Sequence, residues 1–344
     1  MEPRSPLPGA PMFPIQHVVI MVKENHTFDN YFGAFPGAHG VQLAHAPDPH
    51  PDQGHDHGAW LRAQGASGGT QQQYGASDMP AYWAFAQQYT LCDNYFTDVA
   101  SQSEPNHLFL IAADSPLIDN ANPHRTYQPQ PPFDLPSLPQ TLEAAGKTWR
   151  NYAEPNASYF AHLKALQGHR WNVPVAQFDA DVVNGSLPEV AWLYASFGNS
   201  EHPGHQTVRQ GAAWTAQKVM AIARSPLWAK TAVIITWDDW GGWSDHVSAP
   251  KHSTWSGKGP AGYPGSQFRF GPRVPCLIIS PYAKVGINSH FYSHTSVVKF
   301  CLRLFALTAW NAPALRVGDP SGDLFEAFDF VAAPRLAVPE IVPH

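Results

Sequence analysis

Glu24 and Asn25 follow the apolar run IQHVVIMV, residues 15–22. A carboxylate and an amide oxygen side by side suit a hard cation, and an Asn at the end of such a run suits a turn equally well. Asp238 and Asp239 follow a second apolar run, TAVIITW, residues 231–237. Adjacent carboxylates repel, which raises one pKa unless a cation or hydrogen-bond donors offset it. Adjacent side chains on extended backbone point apart, so both reach one ion only where the chain turns. Gly241 and Gly242 supply that freedom. Asp245 and His246 come next, and Trp237, Trp240 and Trp243 argue for an enclosed site over a solvated acidic loop. In SQSEPNHLFLIAA (101–113), Ser103, Glu104 and Pro105 before an apolar stretch mark a helix N-terminus. Ser103 is by default the N-cap. A helix N-terminus also favours negative charge, so a metal-flanked hydroxyl there would be lowered in pKa and aimed at an anionic ester. Asn106 and His107 fall in the first turn and would touch the same anion. His202 in SEHPGH and His294 in YSHTS are each, taken singly, more ordinarily structural.

Such residues need strands to present them. IQHVVIMV, TAVIITW and VPCLIIS (274–280) are apolar throughout, the pattern of strands buried on both faces of a parallel sheet. Between them, 135–154 reads as a helix ending at Gly146 and then a strand. Residues 208–228 read as a helix stopped by Pro226, and 293–307 as another helix. Alternation of this kind predicts an α/β sandwich, a mostly parallel central sheet with helices on both faces. Ligands in such folds sit beyond the carboxyl ends of the strands. There the chain reads KENHTFDN, DDWGGWSDH and PYAKVGINSH. We read 1–14 as an N-terminal extension, 15–310 as one domain and 311–344 as a tail packing on it. Residues 36–76 carry His39, His45, His50, His55 and His57. A metal-binding tract is one reading of them, and a mobile loop or lid is the favoured one.

Composition narrows the classes. Of 344 residues, 14% are charged, against about 25% in an average globular protein. Coiled coils and helical arrays do not tolerate the 34 prolines, and disorder does not fit 44% hydrophobic content. A net charge of −6 argues against nucleic acid as a partner. No apolar run reaches the roughly 18 residues of a membrane span. Cys92, Cys276 and Cys301 have no metal spacing and read as inert core thiols. MEPRSPLPGAPMFP lacks a secretory pattern, so the chain as written reads as cytoplasmic, or as periplasmic or secreted if it is a processed form.

Together these segments resemble the bacterial phosphoesterase family of acid phosphatases and non-haemolytic phospholipases C, with an alkaline-phosphatase-like fold. The resemblance rests on IQHVVIMVKENHTFDNYFG (15–33), MPAYWAFAQQYTLCDNYFTDVASQSEPNHLFLIAA (79–113), SEHPGH (200–205), SPLWAKTAVIITWDDWGGWSDHV (225–247) and GPRVPCLIISPYAKVGINSHFYSHTSVVKF (271–300). It implies one divalent metal (Ca²⁺, Mg²⁺, Mn²⁺ or Zn²⁺) held by Glu24, Asn25, Ser103, Asp238 and Asp239, with His202 and His294 as site histidines. Ser103 is preferred to Ser101 because the family's hydroxyl stands three residues before the Asn of its Pro-Asn pair. The family motif usually reads ENRSFDHYFG. Here His26, Thr27 and Asn30 replace Arg, Ser and His, and His107 stands where the family commonly has Arg. These departures are expected to remove positive charge from the anion site.

The expected chemistry is hydrolysis of phosphate mono- or diesters, on a small phosphate ester or a phospholipid headgroup. Ser103 attacks phosphorus and forms a phosphoseryl intermediate. His294 or His202 protonates the leaving alkoxide, and Asn106, His107 and His246 bind substrate. Trp83, Phe85, Trp237, Trp240 and Trp243 would suit a choline group by cation–π contact. The competing readings are a sulfate or phosphonate ester hydrolase, a non-hydrolytic phosphate-ligand binder, and a carbohydrate-binding module with exposed Trp.

Overall fold

The computed structural model describes residues 13–64, 68–155, 157–204, 206–339 and 341. Residues 1–12 of the expected N-terminal extension, and His205 of SEHPGH, lie outside the described residues. Eight strands form one sheet: β1 His17–Lys23, β2 Thr90–Cys92, β3 Trp149–Tyr152, β4 Asn172–Val173, β5 Val190–Tyr194, β6 Thr231–Trp237, β7 Cys276–Ile279 and β8 Gly286–Asn288. Their order is β8-β2-β7-β6-β1-β5-β3-β4. The central strand β1 pairs in parallel with β5 and β6, with Ile20 opposite Trp192 on one side and Ile234 on the other. All seven residues of β6 are buried, as continuous apolar character predicts for a strand covered on both faces.

One strand departs from expectation. β7 runs antiparallel to both β6 and β2. A parallel return needs a crossover, usually a helix. Residues 238–275 contain none among the described residues; they hold the short strands Ser253–Thr254 and Gln267–Arg269 instead. The chain therefore re-enters the sheet from the end at which β6 left it.

The helices are α1 Phe28–Phe32, α2 His57–Ala63, α3 Pro80–Gln88, α4 Ser103–Ala112, α5 Leu138–Ala144, α6 Ala176–Val183, α7 Val208–Ala223 and α8 His294–Leu304. They pack as two groups, α3 and α6 against α7, and α5 and α8 against α4. Gly146 follows α5 at φ +70°, the left-handed position that ends a helix. In the tail, Phe328 stacks on Phe300 of α8 with ring centroids 5.0 Å apart.

No tryptophan is exposed: eight are buried, and Trp83, Trp171, Trp214 and Trp310 are half-buried. Trp149, Trp192, Trp237 and Trp243 are among the largest fully buried side chains. This corrects the exposed-Trp reading and removes the support for a carbohydrate-binding module. All three cysteines are buried and free. No helix of the described residues is long and apolar enough to cross a membrane.

Candidate active site

The site forms where β1 and β6 end side by side. Asp238 N–H donates to the carbonyl of Lys23, 2.9 Å, so both strand ends open into one place. Asn25 turns there with φ +66°, a left-handed conformation Asn tolerates better than most residues. Its N–H donates to Asp238 Oδ1, 2.8 Å. Gly241 is required by close approach: at φ +57°, a Cβ would stand 2.2 Å from the Asn25 carbonyl oxygen. This is the turn that lets Asp238 and Asp239 face one place. Asp239 Oδ1 accepts the Gly241 N–H, 2.7 Å.

Ser103 is the first helical residue of α4 rather than its cap, which is Gln102. Its hydroxyl donates to Asp239 Oδ2, 3.0 Å. Ser101 Oγ donates to Asp119 instead, 2.9 Å. The Glu104 N–H at the same helix end is taken by Asn120 Oδ1, 2.7 Å. Asn106 spends its side chain on the preceding turn: Oδ1 accepts the Val99 N–H at 2.8 Å, and Nδ2 donates to the carbonyls of Val99, Ser101 and Gln102. It therefore positions Ser103 from within the protein, where substrate contact was expected.

His107 Nε2 lies 3.3 Å from Asp238 Oδ2. Glu24, His107 and Asp238 each offer a ligand atom within 4.8 Å of the others. Asn25 Oδ1, His107 Nε2 and Asp238 Oδ2 are buried without hydrogen-bond partners. Buried lone pairs left open in this way are costly, and an ion among them would satisfy all three. The electrostatics agree. Burial, then Asp238 and Asp239, push the Glu24 carboxyl well above its ordinary range. Burial and Asp238 do the same to Asp239. Burial works against Asp238 too, yet the His107 contact and the Asn25 N–H hold it below the usual carboxylate range. Three carboxylates this close need a compensating cation to ionise together. The set Glu24, Asn25, Ser103, Asp238 and Asp239, with His107 added, fits a divalent metal.

The histidines divide. His294 is buried with both nitrogens engaged, Nε2 at 2.8 Å from the Asp238 carbonyl and Nδ1 at 3.1 Å from the Tyr95 hydroxyl. It braces the Asp238 backbone. His202 reaches the site, with Nε2 at 3.5 Å from Asn25 Nδ2. His55, from the 36–76 segment, stands closer, with Nε2 3.0 Å from the same amide and 3.9 Å from Asp239 Oδ2. That segment is held against the site: Trp240 Nε1 donates to the His55 carbonyl, 2.8 Å, and Gly204 N–H to the His50 carbonyl, 2.7 Å. His246 goes elsewhere, to Asp29 Oδ2 at 2.6 Å. Arg273 neutralises Asp29 and Asp245 there, and the cluster lines a second cleft of about 460 Å³ with Trp60, Trp240 and Trp243. Of the aromatics expected to hold a cationic group, Trp237 and Phe85 are core and Trp83 packs on Phe32 and Phe35.

Two features escaped the sequence reading. Glu201 is a buried carboxylate at φ +75°. It receives Lys23 Nζ (3.0 Å), the hydroxyls of Tyr82 (2.6 Å) and Tyr31 (2.8 Å), and Trp237 Nε1 (3.0 Å). It thereby ties the residue before Glu24 to the residue before His202. Gly211 of α7 makes room, since a Cβ there would meet Glu201 Cγ at 2.1 Å. The family departures form one unit. His26 Nδ1 pairs with Asn30 Oδ1, 2.7 Å, its Nε2 contacts the Glu201 carbonyl, 3.0 Å, and Thr27 caps α1. Burial pushes the His26 pKa down to about 4. These three residues are buried, and His107, the remaining departure, stands in the site 3.3 Å from Asp238 Oδ2.

A 490 Å³ cleft opens beside Glu24. Its walls include Asp52, Glu154, Tyr194, Phe197 and His202.

The Phosphoesterase family model matches residues 15–56 and 51–308. The non-hemolytic phospholipase C of Pseudomonas aeruginosa is 29% identical over an alignment covering 95% of this chain and 59% of that protein. Phospholipase C A of Mycobacterium tuberculosis is 25% identical, covering 98% of this chain and 81% of that protein. The chain thus spans about three fifths of the first relative's length. Among solved structures, the lipoteichoic acid synthase LtaP of Listeria monocytogenes superposes with a TM-score of 0.51 at 10% identity, covering 92% of this chain and 76% of that one. The shared fold is alkaline-phosphatase-like, as expected.

Proposed function

The chain belongs to the Phosphoesterase family, and on that premise we propose that it is a divalent-cation-dependent phosphoesterase with Ser103 as nucleophile. The observation that carries the reading is the Ser103–Asp239 hydrogen bond, 3.0 Å, set among buried ligand atoms left open at Asn25, His107 and Asp238. A divalent ion held by Glu24, Asn25, Ser103, Asp238 and Asp239 would supply positive charge for the phosphoryl oxygens and would lower the serine pKa.

The chain's own groups do the rest. Because the Ser103 hydroxyl points its proton at Asp239, its lone pairs are free for phosphorus. As the Oγ–P bond forms, the proton passes to Asp239 and the bond to the leaving alcohol breaks. Water then hydrolyses the phosphoseryl group and restores Ser103. Asn106 and His294 hold the Ser103 turn and the Asp238 backbone still, which is where positioning contributes most to phosphoryl transfer. The leaving oxygen departs as the alkoxide and takes its proton from solvent in the open cleft that His202 lines.

The cleft favours a diester over a monoester. Glu24, Asp52 and Glu154 line it, and no Arg or Lys is among its described lining residues. A dianionic monoester would meet these carboxylates without a cationic partner, whereas a singly charged diester with a cationic alcohol would meet carboxylates and the rings of Tyr194 and Phe197. A phospholipid headgroup or a small ester of the same charge fits. The test is Ser103→Ala against aryl phosphate and aryl phosphocholine in a series of divalent cations. We expect a loss of at least about 10³-fold on the diester. Unchanged activity sinks the nucleophile, equal wild-type rates on both esters sink the headgroup reading, and faster sulfate or phosphonate ester turnover redirects the substrate class.

A further inference from the structure

Cys92 and Cys276 come from distant parts of the chain and meet across the sheet. β2 and β7 run antiparallel, and their register sets Cys276 directly opposite Cys92. Residues so opposed carry their side chains on one face, with Cα atoms about 4.5 or 5.5 Å apart and Cβ atoms about 4.5–5.5 Å apart. A disulfide spans Cα atoms about 4.4–6.8 Å apart and Cβ atoms about 3.5–4.5 Å apart. Either kind of opposed pair therefore meets the Cα span, and the side chains need to close by about 1 Å. Both thiols are buried and free. Cys301 is buried as well, but it lies on α8, outside the sheet.

We propose that Cys92 and Cys276 form a cross-strand disulfide when the chain folds in the presence of a small-molecule disulfide, and that this bond fastens the floor of the candidate active site. In the exchange, one cysteine thiolate attacks the small disulfide and releases one thiol. The second cysteine then attacks the protein sulfur of the mixed disulfide and releases the other. The protein loses two electrons and two protons, and the small disulfide is reduced to two thiols. The step belongs to folding. In the folded chain burial, and then Cys92, push the Cys276 thiol well above its ordinary range, which withholds the thiolate that exchange needs. The same burial shields the finished bond from reductant. The position ties it to the site. The row that holds Cys92 and Cys276 continues through Thr236, Val22 and Tyr194, and Val22 and Thr236 stand two residues before Glu24 and Asp238. Tyr95, whose hydroxyl meets His294 Nδ1 at 3.1 Å, is pushed up in pKa by burial and then by Cys276, so that the pair lies beneath the His294 brace of Asp238. After β2 the chain runs on to Ser103, and β7 is bonded to β6, which ends before Asp238. A bond between β2 and β7 thus joins the two sides that deliver the Ser103–Asp239 contact. It also closes a long loop of sequence, where a crosslink restrains the unfolded chain most.

The test reads thiols, so it stands whether or not the hydrolytic reading does. The full chain is unfolded and refolded in a glutathione redox buffer or in a reducing buffer, with folding checked by circular dichroism. Free thiols are then alkylated under denaturing conditions and counted by mass spectrometry. The reduced sample should carry three alkyl groups, one for each free cysteine, and the oxidised sample one. Peptide mapping should join Cys92 to Cys276 and find Cys301 alkylated. The crosslinked form should melt about 5 °C or more above the reduced form. Cys301→Ala should keep both results, and Cys276→Ala should lose the crosslink and the shift together. If Cys276→Ala does not fold, the mapping and melting of wild type decide. Three alkylated thiols after oxidative refolding, glutathione adducts at Cys92 or Cys276 in place of the crosslink, a bond to Cys301, a crosslink confined to misfolded chains, or a crosslinked form that melts no higher than the reduced one overturns the proposal. Failure of the hydrolytic reading would appear separately, as a crosslinked, folded chain without turnover.

Discussion

Glu201→Gln tests whether the buried Lys23–Glu201 pair holds the two sides of the cleft. The carboxylate takes four donors, two on each oxygen, and is the acid in direct contact with Lys23 Nζ, whose other contacts are the carbonyls of Asn199 and Gly211 and the ring of Trp214. An amide keeps one accepting oxygen and turns an NH₂ toward two donors. Breaking one partner of a buried ion pair costs about 3–5 kcal/mol, and an orphaned donor costs about 1–3 kcal/mol. The two costs overlap, because Lys23 is already pushed below its ordinary pKa by burial and can give up its proton. A net loss of about 3–5 kcal/mol is expected, on the order of 5–10 °C in melting temperature for a chain of this size. The sign with pH follows. A lysine whose folded pKa is depressed binds fewer protons folded than unfolded, so stability rises with pH, and the gap to wild type should narrow as pH is raised. Because Glu24 and His202 each adjoin the pair, activity below the melting point should fall about 10²-fold, as displacements near 1 Å do. The assays are calorimetric melting with excess cation and ester hydrolysis at low temperature. Lys23→Met/Glu201→Gln should be more stable than Glu201→Gln alone. A single variant that melts within a degree of wild type, or a double variant that simply adds the losses, refutes the reasoning.

The metal-free protein should lose stability as pH rises from the acid side. Burial and mutual repulsion raise the folded pKa of Glu24 and Asp239, so the folded state binds more protons than the unfolded one above the ordinary carboxylate pKa. Melting curves across that range should slope downward without cation and flatten when a divalent cation is added, with protons released on binding. Asn106→Ala should cost about 1–3 kcal/mol in melting experiments, since the Val99 N–H loses its buried acceptor. It should also lower kcat more than it raises KM, because it loosens the turn before Ser103. A change in KM alone would return Asn106 to substrate contact.

Much of this arrangement was legible because it follows from local rules. Continuous apolar runs gave β1 and β6 at their observed places, and Gly146 and Pro226 marked helix ends for backbone reasons. Scarce carboxylates at strand ends marked the site. Long-range pairing was not legible. The direction of β7 depends on the path of residues 238–275, which carry no periodicity. His55 lies in a segment without helical or strand pattern, and only its backbone ties to Trp240 and Gly204 bring it to Asn25. Glu201 drew no role from the sequence, and the signal that could have marked it is a glycine inside a helix, Gly211, whose missing Cβ admits it.

Counting charge along the motif failed for a related reason. The exchange to His26, Thr27 and Asn30, with His107 in place of Arg, looks like a loss of two cations when each position is read singly. In the fold the three residues satisfy one another, and burial pushes the His26 pKa down to about 4. A buried histidine contributes hydrogen bonds rather than charge. The nearest lysine, Lys23, is committed to Glu201. What faces the ester at this end of the sheet is thus a concentration of carboxylates, Glu24, Asp238 and Asp239, with Asp52 and Glu154 on the cleft wall. An anionic substrate can approach such a surface only when cations bind first. On the proposed reading, the same charge balance that makes the apo site sensitive to pH makes metal occupancy the condition for substrate binding.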